Sequence, residues 1–151
     1  MNGSKDLKTI IYFKGVYDTL DLFTDHLIEA FESMGYGTFV YHTANEEVSK
    51  KLLLRLLGES QEFAAVTFNN LGYNLSFEQP EAAEVEEGKP EEYNIWDYFH
   101  IPYIDILMDH PFHYEKPLRN MPKTAVILCT DRNHVKYVRR FFKNIRQTDF
   151  L

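Results

Sequence analysis

The stretch YIDILMDHPFHYEKPLRNMPKTAVILCTDRNHVKYVRR, residues 103–140, decides the fold. It holds two short apolar runs, 103–108 (YIDILM) and 124–129 (TAVILC), each bounded by turn-forming residues, and both read as buried strands. The first breaks into Asp109, His110 and Pro111, and the second into Thr130, Asp131, Arg132 and Asn133 before a basic helix. In open α/β sheets, ligands bind outside the carboxyl ends of the strands. Acids, histidines and an arginine gathered at two such ends mark where a functional site is expected.

Working outward, the same grammar recurs upstream. Residues 7–13 (LKTIIYF) read as a strand, and Leu20, Phe23, Leu27, Phe31 and Met34 recur at helical spacing after a start at Asp18 or Thr19. Gly35 and Gly37 end that helix, and 38–41 (TFVY) give a second strand. Asn45 is a plausible N-cap for a second helix whose predicted buried face is Val48, Leu52, Leu53, Leu56 and Leu57. A third strand, 63–68 (FAAVTF), ends in the polar turn Asn69, Asn70 and Gly72. Residues 93–100 read as a short helix with Ile95, Trp96 and Phe99 inward, and 133–142 as a helix with Val135 and Val138 inward. Residues 147–151 begin a sixth strand. Alternating units of this kind predict a Rossmann-like α/β fold, a parallel sheet of five to six strands with helices on both faces. Two three-strand halves suggest the order 3-2-1-4-5-6, with a crevice between strands one and four, and a five-strand flavodoxin-like order is the competitor.

At 151 residues the chain fits one domain, 1–151. The net charge of −7 is local: residues 78–92 carry seven Glu and one Lys, or −6, which leaves 16 acids and 15 bases, or −1, elsewhere. The 78–92 segment reads as an exposed acidic insertion, a solvated loop or else a lid or partner contact. A nearly neutral fold lacks the basic field that nucleic acid requires, and no apolar run approaches the ~20 residues of a membrane span. A lone Cys129 excludes an internal disulfide and, with no signal peptide in view, points to a reducing, cytoplasmic setting.

The first strand runs into Lys14, Gly15, Val16 and Tyr17, with neither G-x-G-x-x-G nor a P-loop, so no nucleotide is expected in the usual cradles. Lys14 and Tyr17 can still face a ligand, although Lys14 is better explained as a solvated loop lysine. A receiver domain is disfavoured because the acidic cluster expected after strand one is missing. Asp109, His110 and His113 combine a carboxylate with imidazoles and suit acid–base work, since histidine titrates near neutrality. His110 can instead be a loop residue that bonds the backbone. His110, His113 and Asp131 do not follow a zinc spacing, so no metal is assigned. Asp131 is sufficiently explained as a helix cap, and Arg132, which a cap does not need, is left to meet a phosphate, a carboxylate or the acidic loop. Cys129 reads as a small core residue rather than a nucleophile, and the aromatic excess as core packing before any sugar-stacking platform.

His100, Ile101, Pro102 and Tyr103, with Asp109, His110, Pro111 and then Asp131, Arg132, Asn133 and His134, carry a resemblance. Residues 100–140 resemble the N-terminal domain, itself of unknown function, of bacterial, mainly Firmicute, glycosyltransferase-like proteins related to the spore-maturation glycosyltransferases. The first hundred residues share only the β-α pattern. The resemblance implies the N-terminal, acceptor-side half of a B-type glycosyltransferase. Its partners would be a sugar or glycan acceptor and a C-terminal domain holding the nucleotide-sugar donor, which this sequence does not include. On that reading Asp109 or His110 is expected to be the catalytic base, with Lys14, Tyr17, His113, Asp131 and Arg132 binding substrate and no cofactor held by this domain. A non-catalytic interaction or ligand-binding domain is the alternative, and convergence of Asp109, His110 and Arg132 on one pocket would discriminate between the two.

Overall fold

The computed structural model describes residues 8–59, 61–78 and 91–151. Most of the acidic segment read at 78–92 therefore lies outside the described residues. Strands β1 (Lys8–Lys14), β2 (Gly37–His42), β3 (Glu62–Phe68), β6 (Tyr103–Leu107), β7 (Ala125–Cys129) and β8 (Gln147–Phe150) form one parallel sheet. Strands β4 (Ser76–Glu78) and β5 (Glu92–Asn94) pair antiparallel as a separate ribbon. The helices are α1 (Asp18–Ser33), α2 (Glu46–Leu57), α3 (Ile95–Tyr98), α4 (Glu115–Arg119) and α5 (Arg132–Phe141). The sheet is Rossmann-like, with helices on both faces.

Its order is β2-β1-β3-β6-β7-β8. In terms of the six sheet strands this is 2-1-3-4-5-6, which corrects the expected 3-2-1-4-5-6 and follows the flavodoxin-like competitor. The chain steps once to the left, from β1 to β2, and always to the right afterwards. Right-handed crossovers then place α1 on one face and every later helix on the other. Packing agrees. Leu53 and Leu57 of α2, Ile95 and Trp96 of α3, Leu118 of α4, and Val135 and Val138 of α5 pack with Ile11, Phe13, Ala65, Tyr103, Leu107 and Ile127. Leu20, Leu27, Ile28 and Phe31 of α1 cover Ile10, Tyr12, Val66 and Phe68 on the opposite face.

Two helical faces differ from the sequence expectation. Val48 and Leu52 are exposed, and α2 turns Ser49, Leu53 and Leu57 inward instead. Ser49 fixes this phase: its hydroxyl donates to His42 O and accepts His42 N–H, both at 3.1 Å. On α1, Met34 is the exposed C-cap, and Thr24 takes a buried position through a bond to Leu20 O. The helix expected over 93–100 is shorter, because its first residues pair in β5.

The aromatic residues go chiefly to the core. Phe13 packs against Tyr41 (5.2 Å between centroids) and edge-on to Trp96 (6.0 Å), and Trp96 against Tyr103 (5.6 Å). Cys129 is fully buried, and burial pushes its thiol up to about 11, which fits the small-core-residue reading.

Candidate functional site

The order of the sheet decides which loops are neighbours. At its carboxyl edge, Lys14 of β1 stands beside the turn after β3, which stands beside the segment after β6, which stands beside the turn after β7. The chain leaves β1 and β3 in opposite directions, so the switch point lies between those two strands rather than between strands one and four. Three strand spacings separate β1 from β7, roughly 14 Å. The two positive side chains singled out in the sequence, Lys14 and Arg132, are thus on opposite sides of the edge.

The turn after β3 is built for this position. Asn69 and Asn70 both take positive φ, 48° and 66°, a conformation that asparagine tolerates better than most side chains. Gly72 follows at φ 75°, and a Cβ there would run into the ring of Phe13. Three core side chains hold the turn from below. Asp105 Oδ1 accepts Asn70 N–H at 2.9 Å, Tyr103 OH donates to Leu71 O at 2.8 Å, and Trp96 Nε1 donates to Gly72 O at 2.7 Å.

Asn69 then reaches across to β6. Its Oδ1 accepts Met108 N–H at 2.9 Å, and its Nδ2 donates to Asp109 Oδ2 at 3.1 Å. Tyr114, at the end of the 3-10 turn Pro111–Tyr114, donates its hydroxyl to the same Asp109 oxygen at 2.8 Å. Burial, with Asp109 next, raises the Tyr114 phenol above its ordinary value, so it remains a donor. Both bonds fall on Oδ2. Asp109 is exposed, and its Oδ1 takes no hydrogen bond from the described residues. Tyr17, 62% exposed, belongs to the same neighbourhood, close enough to the Tyr114 hydroxyl for the two phenols to interact.

His110 points elsewhere. Its Nδ1 accepts Phe112 N–H at 3.1 Å and so caps the turn that follows, with Pro111 at the first position. That bond leaves the proton of the neutral ring on Nε2. The ring lies edge-on to His134 (4.6 Å between centroids) and to Tyr137 (5.0 Å) of α5. His113 is exposed beside Phe112. Asp131 caps α5 by accepting Asn133 N–H at 2.6 Å. The Arg132 guanidinium lies 4.7 Å over the ring of Phe150, towards β8. Lys14 is paired with Asp25 of α1 at 2.6 Å. The structure therefore brings Asp109 together with Asn69 and Tyr114, and near Tyr17, while His110, Arg132 and Lys14 each engage a different neighbour.

Asn69, Tyr114 and Asp105 were not singled out as functional in the sequence. Each left a signal: a pair of asparagines two residues before a glycine at a strand end, a tyrosine five residues after Asp109, and an acid inside an apolar run. Among the described residues, no group of three or more His, Cys, Asp or Glu is placed to hold a metal ion. No described helix is long and apolar enough to cross a membrane.

A cleft of about 620 Å³ opens elsewhere, between α2, the 73–76 segment and α4. Its charges balance, Lys50 and Lys116 against Glu46 and Glu92, and much of its polar lining is already engaged. Asn94 donates to Tyr73 O, Asn120 donates to Lys116 O, and Ser76 donates to Glu92. No protein-family model matches this sequence, and neither does any curated protein.

Proposed function

We propose that the domain binds a sugar or glycan acceptor at the carboxyl ends of β3 and β6, as the acceptor-side half of a B-type glycosyltransferase. The observation that carries this reading is the state of Asp109. One carboxylate oxygen is fixed by Asn69 and Tyr114, and the other faces solvent with no partner among the described residues. A rigidly held carboxylate with a free oxygen, beside an exposed tyrosine, suits a hydroxyl-bearing ligand that also presents an apolar ring face. The resemblance of residues 100–140 to the glycosyltransferase-like group gives the reaction class.

Between the two candidate bases, Asp109 is the better placed, since the Nδ1 lone pair of His110 is already used. In transfer, the acceptor hydroxyl gives its proton to Asp109 Oδ1 as its oxygen bonds to the anomeric carbon. The glycosidic bond to the nucleoside diphosphate breaks, and its electron pair leaves with the phosphate. The donor is held by a second domain outside this sequence. A nucleotide-sugar assay on a polypeptide carrying both domains tests the reading. Asp109→Asn is expected to lower kcat at least ~100-fold, the usual scale for a lost general base. Unchanged transfer by a folded variant removes Asp109 from the mechanism.

The divergence of His110 and Arg132 favours a second reading, a ligand-binding domain without catalysis. It predicts that Asp109→Asn weakens glycan binding while no donor is turned over by any assembly containing the domain.

A further inference from the structure

Asp105 is fully buried in the middle of β6, and its surroundings are incompletely satisfied. Oδ1 accepts Asn70 N–H, but Oδ2 has no partner among the described residues. Thr67, its register partner on β3, is also buried, and its Oγ1 makes no well-formed hydrogen bond among the described residues, although it lies close enough to the Tyr103 hydroxyl to act on it. Asn70 is 5% exposed, with both atoms of its side-chain amide unpaired. Four polar atoms without a well-formed hydrogen bond among the described residues thus belong to three adjoining residues beneath one turn, where buried polar groups are normally paired.

The ionisable groups around this carboxyl are all acids or neutral. Its own strand presents Tyr103, β7 presents Cys129, and the 111–114 turn presents Tyr114, with Asp109 and Tyr17 beyond it. The 69–73 turn presents Asn70 and, past Tyr103, Tyr73. Among the described residues, no lysine, arginine or histidine acts on Asp105. With no cation to balance it, a proton is the means of neutralising this carboxyl. Burial pushes it up to about 7, against a smaller opposing effect of the Asn70 N–H bond. When protonated, Oδ2–H is a donor and Thr67 Oγ1 an available acceptor. When ionised, the carboxylate draws on the Asn70 N–H more strongly and can recruit Asn70 Nδ2.

Asn70 directly follows the residue that matters at the edge above. Asn69, its immediate neighbour, holds both Met108 and Asp109. We propose that Asp105 is a proton-operated latch, in which loss of its proton tightens the turn at Asn70 and shifts the grip of Asn69 on Asp109. Its functional meaning rests on the reading of Asp109 as the ligand-binding group, but its operation does not require any particular ligand.

The experiment is a nuclear magnetic resonance titration of the isotopically labelled chain between pH 5 and 9. It follows the Asp105 side-chain carboxyl carbon, the Asn70 backbone amide and the Asn69 side-chain amide. The three signals are expected to move together with one midpoint near neutrality. Asp105→Asn is expected to abolish the amide transitions, whereas Asp109→Asn leaves that of Asn70 in place. The wild-type carboxyl signal keeps the test decisive even where Asp105→Asn does not fold. An Asp105 carboxyl that does not titrate in this range, or an Asn69 side-chain amide that ignores the Asn70 transition, overturns the latch. The same titration with a panel of soluble oligosaccharides separates the two ideas. A latch transition without sugar-dependent shifts supports the latch and counts against the proposed ligand. Sugar-dependent shifts around Asp109 with a flat Asn70 signal overturn the latch alone.

Discussion

Asn69 and Asp109, forty residues apart in sequence, meet across the carboxyl ends of adjacent strands, and the Asn69 amide donates to one oxygen of the carboxylate at 3.1 Å. The same side chain accepts Met108 N–H, so one residue splices the β3 turn to the end of β6. Its backbone is at φ 48°, which separates two contributions experimentally. Asn69→Gly loses the side-chain bonds but relieves the backbone, and is expected to cost about 1–2 kcal/mol. Asn69→Ala loses the same bonds and keeps the strained backbone, and is expected to be less stable than the glycine variant by roughly 1 kcal/mol. Urea unfolding of the pair measures the difference, and an alanine variant as stable as the glycine variant would refute a strained turn.

Stability should fall as pH rises through the weakly acid range because of Asp105. Its native value of about 7 stands above the ordinary 3.8, so between these values the unfolded chain has released a proton that the native state still holds. Stability is therefore lost progressively from about pH 4 to pH 7 and levels off above, by a few kcal/mol for a shift of this size at ~1.4 kcal/mol per pH unit. Asp105→Asn is expected to flatten that part of the profile. Denaturant midpoints at pH 4.5, 6 and 7.5 for both proteins supply the comparison.

Gly72 and Phe13 make a coupled pair. Gly72→Ala places a methyl group against a buried ring at a positive φ, and is expected to cost more than about 2 kcal/mol. Adding Phe13→Leu removes the ring that the methyl meets. The double variant is then more stable than the sum of the two single costs predicts. Simple additivity in a double-mutant cycle would show that the cost at Gly72 is backbone strain alone.

Trp96→Phe retains an aromatic ring in the core but deletes the donor to Gly72 O, leaving a carbonyl without its partner. The expected loss is about 1–3 kcal/mol, measured by thermal or chemical unfolding. Broadening of the amide signals of the 69–75 segment is expected to accompany it.

Cys129 should resist alkylation. It is fully buried, and burial pushes its thiol up to about 11, so little thiolate exists at pH 8. Iodoacetamide is expected to modify it at the rate of global unfolding, and fast labelling of the native protein would contradict the packing at the end of β7.

The strands of the main sheet were legible because each is an apolar run closed by turn residues, and Asp131 was legible as a cap from its position before a helix. The sheet order was not legible. The same β-α alternation is compatible with β3 on either side of β1, and only packing places it between β1 and β6. The phase of α2 was misread because leucines dominate its pattern, while a serine, bonded twice to His42, sets the rotation. At the site, Asp109 was visible as a carboxylate at a strand end. Asn69 was hidden because its role depends on a contact forty residues away. Asp105 was hidden because a single acid barely perturbs the apolar pattern of YIDIL, although its burial dominates its chemistry.

The turn after β3 is tied at three consecutive residues to Asp105, Tyr103 and Trp96. This part of the rim is anchored to the core. A lineage adapting the edge to a new ligand cannot freely rewrite residues 69–72 without unsettling the interior. Variation is cheapest at Tyr17 and Phe112, each 62% exposed. Specificity among relatives of this domain is expected to diverge there first, around an Asp109 and Asn69 that stay fixed.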